Sequence, residues 1–461
     1  MVQKGGCGVL ERCLRLNLFA PHYLMKIVLV IHGYPMRYNA GSEVYTQALA
    51  QALAHHHEVH VFSRQQNKFV PDYALQKEVD PTDPRIALHI MNLPQSLDQY
   101  RHRSVDEQFG LLLDQLQPDL VHIGHLNHLS TSLVFEAHRR GISLVFTLHD
   151  YWLMCPRGQF LQVRPQNGSD LWPLCAGQDD RTCAERCYAR FFSGALEEEA
   201  SDIAYWMHWV QRRMAHIREV CAVIDLFIAP SHTVLQRFRD EFGLPANKLV
   251  YLDYGFHHER LQGRLRTPGE PFTFAYIGTH IPAKGVHHLL EAFSRLSGQP
   301  LLHIWGRPLG VETDSLHVLL KAMPVEVQAR IRWMGEYRNT EIVQHVFNHC
   351  DVIVVPSIWL ENSPLVIHEA LQARVPVITA NAGGMAEYIQ HEMNGLLFAH
   401  RNPAALAEQM QRLVLDPAFA QRLGERGYLG TDDGNIPAMT AHLQNLERLY
   451  EQVYARRKEG A

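Results

Sequence analysis

The chain has 461 residues, of which 46% are hydrophobic and 20% charged, and its formal net charge is −5 at pH 7. This is the composition of an ordinary globular protein, and the absence of a long basic block argues against a nucleic-acid partner held by phosphate contacts. No apolar run approaches the ~18 residues that a membrane span needs, although a peripheral contact with a membrane surface is compatible with the sequence.

The first 24 residues differ from the rest of the chain. Lys4 could begin a signal peptide, but Glu11 and Arg12 interrupt the apolar stretch that such a peptide requires. The run 25–30 has the form of a fresh protein start that continues into a first strand. We therefore expect residues 1–24 to be a disordered or mis-assigned extension.

Strand-like and helix-like runs alternate through the first half of the chain. Apolar runs of strand length lie before polar, glycine or histidine residues, and the segment 43–54 has apolar residues at helical spacing. This alternation predicts βαβ units and a mostly parallel sheet, with ligands at the carboxyl ends of its strands. The predicted strands of this half are 27–31, 58–62, 120–123, 144–147 and 226–229.

A polar segment with proline and glycine, 264–270, resembles a linker, and a second alternating series comes after it. The strands predicted there are 272–277, 301–304, 331–334, 352–355 and 375–378. A last amphipathic run, 439–454, predicts a closing helix. The sequence thus predicts an α/β protein of two Rossmann-like doubly wound domains, with the domain bounds 25–262 and 271–430, and a C-terminal helix within 431–461 that packs back towards the first domain.

The most informative pattern is the segment 356–370, which follows a predicted strand and opens a helix. Ser363 is expected to cap that helix and Pro364 to be its first residue, so that the amides of Leu365 and Val366 would be free to bind a diphosphate. Glu361 precedes the helix start and Glu369 lies within the helix. Two glutamates that frame a helix start after an apolar strand favour a ligand site over two solvated surface residues.

A second turn, 278–285, also lies between a strand and a helix. Gly278 permits a tight turn, and Lys284 offers a positive charge to phosphate oxygens. An exposed lysine at a turn would be the more common interpretation if it stood alone. The pair Gly383–Gly384 follows another strand and is weak evidence by itself.

The first half contributes two further candidates at predicted strand ends. Gly41 lies in the loop between the first strand and the first helix, where it would let backbone approach a ligand. His149, with Asp150 beside it, follows the predicted strand 144–147 and so lies at the edge of the sheet where ligands bind.

Together these patterns resemble family four of the glycosyltransferases, which are retaining, nucleotide-sugar-dependent enzymes with the two-domain GT-B fold. The resemblance runs from about Met25 to Tyr454. Its most specific element is the pair Glu361 and Glu369, which matches the family's E-x7-E motif, and the turn from Gly278 to Gly285 matches its phosphate-binding stretch.

The resemblance implies a role for each candidate. Lys284 and the backbone after Glu361 would hold the diphosphate, Glu369 would bind the ribose hydroxyls, and Glu361 and His149 would lie beside the transferred sugar. The expected catalytic residues are then His149, Glu361 and Lys284. The expected donor-binding residues are Gly41, Gly278, Lys284, Gly335, Glu336, Asn362, Ser363, Pro364, Leu365, Val366 and Glu369.

The family needs no metal for catalysis, so the implied ligands are a nucleotide-sugar donor and a saccharide or lipid-linked acceptor. Two positions depart from the family's pattern. Thr279 stands where many members have an arginine, which removes one positive charge from the phosphate turn, and Ala40 stands in place of the first glycine of the N-terminal pair.

The segment of about 151–220 breaks the alternation and is predicted to be an insertion in the first domain. Eight cysteines in a chain of this length suit a reducing cytoplasm, where the protein could also lie at the inner face of a membrane. Four of them, Cys155, Cys175, Cys183 and Cys187, predict a structural zinc site or free thiols, with disulfides as a third alternative that would require an oxidising compartment.

Three other functions fit parts of this pattern. A nucleotide-sugar epimerase or a phosphorylase could use the same two domains, and a non-catalytic protein could bind a nucleotide sugar in the same cleft. A dinucleotide dehydrogenase is disfavoured because no G-x-G-x-x-G follows the first strand.

Overall fold

The computed structural model describes residues 24–35, 37–94, 100–163, 172–188, 200–267, 270–308 and 310–459. Apart from Leu24, the predicted N-terminal extension lies outside these residues. So do two parts of the predicted insertion, 164–171 and 189–199.

Within the described residues, the strands of the first half form one eight-stranded sheet in the order β3-β4-β2-β1-β5-β6-β7-β8. Every adjacent pair is parallel except β3 and β4, which run antiparallel at one edge. The strands are Lys26–Val30 (β1), Glu58–Gln65 (β2), Leu75–Val79 (β3), Ile86–Asn92 (β4), Leu120–Ile123 (β5), Ser143–Thr147 (β6), Leu226–Ala229 (β7) and Leu249–Tyr251 (β8).

The second half forms a six-stranded sheet in the order β11-β10-β9-β12-β13-β14, and all of its described strand pairs are parallel. Its central strands are almost wholly buried, as is expected of a parallel sheet covered by helices on both faces. The strands are Thr273–Ile277 (β9), Leu301–Trp305 (β10), Ile331–Gly335 (β11), Val352–Val355 (β12), Val377–Ala380 (β13) and Gly395–Phe398 (β14).

Helices connect these strands, and no described helix is both long enough and apolar enough to cross a membrane. Short 3₁₀ turns follow two strands of the second sheet, at Pro282–Lys284 after β9 and at Gly383–Tyr388 after β13. The described helices are Gly41–Leu53 (α1), Arg103–Leu116 (α2), Leu133–Arg139 (α3), Asp180–Cys183 (α4), Ala200–Val223 (α5), His232–Asp240 (α6), Val286–Ser294 (α7), Gly310–Lys321 (α8), Val325–Gln328 (α9), Ile342–His345 (α10), Leu365–Gln372 (α11), Pro403–Leu415 (α12), Pro417–Arg426 (α13) and Met439–Glu459 (α14).

Each sheet has one point where the strand order reverses direction. In the first sheet this point lies between β1 and β5, and in the second it lies between β9 and β12. Loops diverge at such a point and leave a crevice at the carboxyl ends of the strands. The loops after β1, β5, β9 and β12 are therefore the ones that the topology makes available for a ligand.

The predicted α/β class with two doubly wound sheets is confirmed. Strands β5, β7 and β12 have the predicted bounds, whereas β13 begins two residues later than predicted because Pro376 has no amide hydrogen to give to a ladder. The domain bounds themselves remain a proposal.

Four strands were missed: β3, β4, β8 and β14. The edge strand β3 has the polar sequence LQKEV and no buried face, while β8 and β14 are only three and four residues long. Strand β4, with the sequence IALHIMN, is almost wholly buried, and its apolar residues were overlooked. The insertion remains a prediction, although its helical end corresponds to α5.

The last helix, α14, packs on the first half and is attached by buried polar contacts to strand β5, to helix α1 and to the turn after α1. Tyr450 Oη is 2.5 Å from His122 Nδ1, and His442 Nε2 is 2.7 Å from Tyr45 Oη. The buried carboxylate of Glu447 lies 3.1 Å from His57 Nε2. Because these groups are out of water, each depends on its partner for a hydrogen bond.

The chain passes between the two sheets twice, and the two connecting segments are hydrogen-bonded to each other. Phe256 N donates to Pro437 O over 3.0 Å, and Met439 N donates to Phe256 O over 2.8 Å. The adjacent Gly255 has no room for a side chain, since a Cβ there would lie 2.4 Å from Cβ of His442. The two connections thus form one narrow junction.

We expect Tyr450→Phe to destabilise the protein by about 1–3 kcal/mol, because it leaves a buried imidazole nitrogen of His122 without a partner. Burial lowers the pKa of His122 to about 3, so the ring stays neutral and cannot recover the loss by taking a proton. The midpoint of urea unfolding measures the change. Tyr205→Phe, at an exposed hydroxyl, is the matched control, and equal midpoints for the two variants would contradict the prediction.

Candidate active site

The carboxyl ends of the two sheets border one cleft of about 460 Å³. Loops after β1, β5 and β6 form one wall, and loops after β9, β10, β11 and β12 form the other. Of the residues proposed from the sequence for catalysis and donor binding, the described lining includes Gly41, His149, Gly278, Lys284, Glu336, Glu361, Asn362, Ser363, Pro364, Leu365, Val366 and Glu369.

Glu361 is the most firmly held acid of the cleft. It is 5% exposed, and its Oε1 accepts hydrogen bonds from Lys284 Nζ at 2.7 Å and from Ser357 Oγ at 2.5 Å. The ammonium group also lies 5.7 Å from the ring centroid of Trp359. A buried carboxylate needs a cation and further hydrogen bonds, and this site supplies both. The sequence-distant pair of Lys284 and Glu361 is thereby brought into contact.

Close backbone packing fixes the loop that carries Glu361. Gly384 N donates to Glu361 O over 2.8 Å, and a Cβ on Gly384 would lie 1.4 Å from Asn362 O. Gly285 has φ +72°, and a Cβ there would lie 2.0 Å from Pro356 O. Glycine is required at both positions, so the Gly383–Gly384 pair, weak evidence in the sequence, is a support of the loop.

Helix α11 begins at Leu365, and its first backbone hydrogen bond runs from Ile367 N to Pro364 O. The amides of Leu365 and Val366 come before that bond and belong to the cleft wall, which is the arrangement that binds anions at helix starts. The predicted cap is wrong. Pro364 is the N-cap residue, and Ser363 makes no capping bond to the helix.

The hydroxyl of Ser363 is used elsewhere, since it donates to Asp253 Oδ1 over 3.1 Å and accepts from Tyr388 Oη over 2.9 Å. The same Asp253 contacts His368 Nε2 at 3.0 Å. These side chains form a buried polar network between the end of the first sheet and helix α11. Ser363 therefore belongs to the contact between the two halves.

Asn362 also connects the two halves. Its Nδ2 donates to Leu148 O over 2.8 Å, and its Oδ1 accepts from Ser231 Oγ over 2.7 Å. Both ends of the amide are thus bonded to the first half, and the residue is 3% exposed. These two bonds fix the orientation of the amide, which lines the cleft.

Glu369 lies on α11 and is bound by Arg260, which belongs to the segment that connects the first half to the second. Arg260 Nη2 donates to Glu369 Oε1 over 2.6 Å, and Arg260 Nη1 donates to Asn339 Oδ1 over 2.7 Å. The contact uses Oε1, so a ligand hydroxyl on Oε2 and the guanidinium can be bound together. Sequence reasoning missed Arg260, because nothing in its local sequence marks it.

His149 lies on the opposite wall. Its Nδ1 is 2.6 Å from Tyr254 Oη, and its Nε2 has no hydrogen-bond partner among the described residues. Burial, reinforced by the nearby His125, lowers the pKa of His149 to about 3. The imidazole is therefore neutral near pH 7, and its Nε2 is a buried nitrogen without a hydrogen-bond partner among the described residues.

Two acid–histidine pairs beside His149 were not predicted. Glu43 Oε1 is 3.3 Å from His32 Nε2, and Asp150 Oδ2 is 3.2 Å from His125 Nε2. Burial opposes ionisation of Glu43, but hydrogen bonds from His32 and Ser42 outweigh it and lower the pKa of the carboxyl, while burial also lowers the pKa of His32. This wall of the cleft is therefore acidic and rich in hydrogen-bonding groups.

The phosphate turn is shaped by glycine at the end of β9. Gly278 has φ +155°, and its backbone contacts Gly306 at the end of β10, where a Cβ would lie 2.0 Å from Gly278 O. Gly335, at the end of β11 with φ +77°, accepts a hydrogen bond from Gly306 N. Unlike Glu336, Gly335 is not among the described lining residues of the cleft.

The four cysteines do not fit a zinc site. No group of three or more histidine, cysteine or acidic residues in the described parts of the chain could hold a metal ion. All four thiols are free, and Cys175 Sγ donates to Gly177 O over 2.9 Å. Burial raises the pKa of Cys187 to about 11 and raises that of Cys183 as well, so both thiols are protonated near pH 7 in the metal-free chain. The zinc interpretation is therefore not supported.

Two family models match adjacent parts of the chain. The model described as Glycosyltransferase Family 4 matches residues 39–260, and the model described as Glycosyl transferases group 1 matches residues 258–429. Together they include both walls of the cleft.

Curated relatives match in part. A glycogen synthase from Mycobacterium tuberculosis is 28% identical over 239 residues, which are 51% of this chain and 53% of the relative. A GDP-mannose-dependent alpha-(1-6)-phosphatidylinositol monomannoside mannosyltransferase from the same organism is 28% identical over 257 residues, covering 51% of this chain and 65% of the relative. The chain thus spans about half the length of the first curated relatives it matches.

Solved structures match over nearly the whole chain. A sucrose-phosphate synthase from Thermosynechococcus elongatus has a TM-score of 0.67 at 18% identity, with 94% of this chain and 100% of that one covered. HepE from Anabaena, solved in complex with UDP and glucose, has a TM-score of 0.63 at 16% identity and covers 93% and 99% of the two chains. At these identities the likeness establishes the fold. The two adjacent family models show that the chain belongs to family four of the glycosyltransferases, and the likeness to the solved structures shows that it has the GT-B fold.

Proposed function

We propose that the protein transfers a sugar from a nucleotide-sugar donor to a saccharide or lipid-linked saccharide acceptor, with retention of the anomeric configuration. One observation carries this proposal. A single cleft brings together the Lys284–Glu361 pair, the start of helix α11, the Glu369–Arg260 pair and, on the opposite wall, His149.

The second half would bind the donor. A diphosphate would lie against Lys284 and the amides of Leu365 and Val366, where the positive end of the helix dipole adds to the charge of the lysine. The hydroxyls of a ribose would donate hydrogen bonds to Glu369, which Arg260 holds in place. Gly335 and Glu336, at the end of β11, would lie beside the base.

In the transfer, the bond from the anomeric carbon to the diphosphate breaks and a bond from the acceptor oxygen forms. The acceptor hydroxyl gives its proton to the departing diphosphate on the same face of the sugar. Negative charge develops on the diphosphate and positive charge on the sugar, and preorganised groups must stabilise both charges. Lys284 and the start of helix α11 would stabilise the negative charge on the diphosphate, and the carboxylate of Glu361 would stabilise the positive charge on the sugar, so no bound metal is required.

The first half would bind the acceptor. Glu43, His32, His125 and Asp150 offer hydrogen-bonding groups to a hydroxyl-rich molecule, and neutral His149 would contact the transferred sugar. The names of the related proteins are compatible with such a substrate pair. A cytoplasmic location, with a peripheral contact at the inner face of a membrane, remains a prediction of the sequence.

A screen of nucleotide sugars by thermal unfolding tests the donor. A ligand that binds only the folded state at 100 times its dissociation constant stabilises it by about 2.7 kcal/mol. We expect one nucleotide sugar to raise the melting temperature clearly and its free monosaccharide to leave it unchanged. If no nucleotide sugar raises the melting temperature at millimolar concentration, the proposed donor class is wrong.

Product analysis with that donor then separates the transferase from the other enzymes. Transfer requires an added acceptor, whereas an epimerase changes the donor alone and a phosphorylase requires inorganic phosphate. A non-catalytic binding protein would be stabilised by the donor and yield no product with any acceptor.

Substitution of Glu369 should affect ligand binding, and substitution of Glu361 should affect catalysis more than binding. We expect Glu369→Gln to weaken binding of the nucleoside diphosphate, because its proposed partner is the ribose, and Glu361→Gln to lower kcat more than it weakens that binding. Calorimetry of the nucleoside diphosphate and steady-state kinetics measure the two effects. Greater loss of affinity in Glu361→Gln than in Glu369→Gln would reverse our assignment.

Lys284→Ala should lower donor affinity and turnover together. A hydrogen bond to a charged group contributes roughly 1.5–3 kcal/mol, which corresponds to about a ten- to hundredfold loss in kcat/KM. The variant also leaves Glu361 buried without its cation, so melting temperatures are compared first. Lys321→Ala, outside the cleft, is the control. Kinetics like those of the wild type would remove Lys284 from the site.

A further inference from the structure

The cleft has few fixed positive charges for a ligand that carries at least two negative ones. Among its described lining residues, Lys284 and Arg307 are the two with a fixed positive charge. Lys284 is already paired with the buried carboxylate of Glu361. A diphosphate at the start of α11 would therefore meet one partly neutralised cation unless Arg307 contributes.

Arg307 stands directly beside the phosphate turn. It follows Gly306, whose backbone contacts Gly278 at the end of β9, and Arg307 O accepts a hydrogen bond from His280 N over 3.0 Å. The uncharged Thr279 lies between those two contacts and also lines the cleft. A cation on this neighbouring strand end can thus reach the space beside Thr279.

The side chain of Arg307 is free to be recruited. Its Nε lies 2.7 Å from Glu336 Oε1, but the two side chains are 42% and 51% exposed. An ion pair this exposed contributes only about 0–1 kcal/mol. A diphosphate offers a planar guanidinium more charge and two oxygens at once, so the ligand should win the competition with Glu336.

We propose that Arg307 is the second cation of the diphosphate site, acting with Lys284 and taking the place of a charge that the phosphate turn lacks at Thr279. The assignment rests on the proposed function, since it concerns the same donor. It makes Glu336 a competitor of the diphosphate, which holds Arg307 when no donor is bound.

The test compares ligands that differ in phosphate number. UDP, ADP, GDP, CDP and dTDP are titrated into the wild-type protein by calorimetry, and the tightest binder is then compared with its monophosphate. We expect Arg307→Ala to weaken the diphosphate about tenfold or more and the monophosphate less than threefold. Arg332→Ala, at an exposed arginine of β11 outside the cleft lining, should change neither.

Two further variants sharpen the result. Glu336→Gln should tighten diphosphate binding, because it removes the competitor, and Thr279→Arg should restore part of the affinity in the Arg307→Ala background. Equal losses for the diphosphate and the monophosphate would place Arg307 on the base, the ribose or the first phosphate, which both ligands share, and would overturn the assignment, since it requires a contact with the second phosphate. So would unchanged diphosphate binding in Arg307→Ala. If the wild-type protein binds none of the five diphosphates, the proposed function fails and the assignment falls with it.

Discussion

The ion pair between Lys284 and the buried Glu361 is the interaction on which the cleft depends. Taking a carboxylate out of water costs several kcal/mol unless a cation and hydrogen bonds compensate it, and here Lys284 and Ser357 do so. The pair joins the turn after β9 to the loop after β12, the two strands on either side of the reversal in the second sheet. Its position is fixed by glycines, because Gly285 and Gly384 allow backbone to pack where any side chain would collide.

The sequence predicted the second wall of the cleft better than the first, because the site residues of the second wall lie in short local patterns. The strands of the second sheet are apolar runs, and their ends carry short local patterns such as the pair of glutamates at Glu361 and Glu369. Such patterns lie within one loop and one helix, so spacing alone can place them. Arg260, Arg307 and the acid–histidine pairs of Glu43 and Asp150 come from separate segments, and only the folded chain brings them to the cleft.

Ser363 and the cysteines show where local chemistry misleads. Ser363 before a proline has the sequence of a helix cap, but Asp253 and Tyr388 compete for its hydroxyl in the contact between the halves. Four cysteines in one segment suggest a metal site, yet three of them are buried and Cys175 is half-buried, and the thiols of Cys175 and Cys187 bond to carbonyl oxygens. In both cases a distant neighbour decides what the side chain does, and sequence spacing contains no information about that neighbour.

The paired connections at Phe256 and Pro437 have a consequence for motion between the two halves. Because the outgoing and returning segments are hydrogen-bonded side by side, neither can bend without the other. Any opening of the cleft would also have to break the contacts of Asn362 and Ser363 with the first half. In the sequence, the second half is one long segment between the main part of the first half and α14, and it leaves and re-enters the first half at one point. A short peptide joining the segments on either side of that point would close the first half into a continuous chain with α14 still attached.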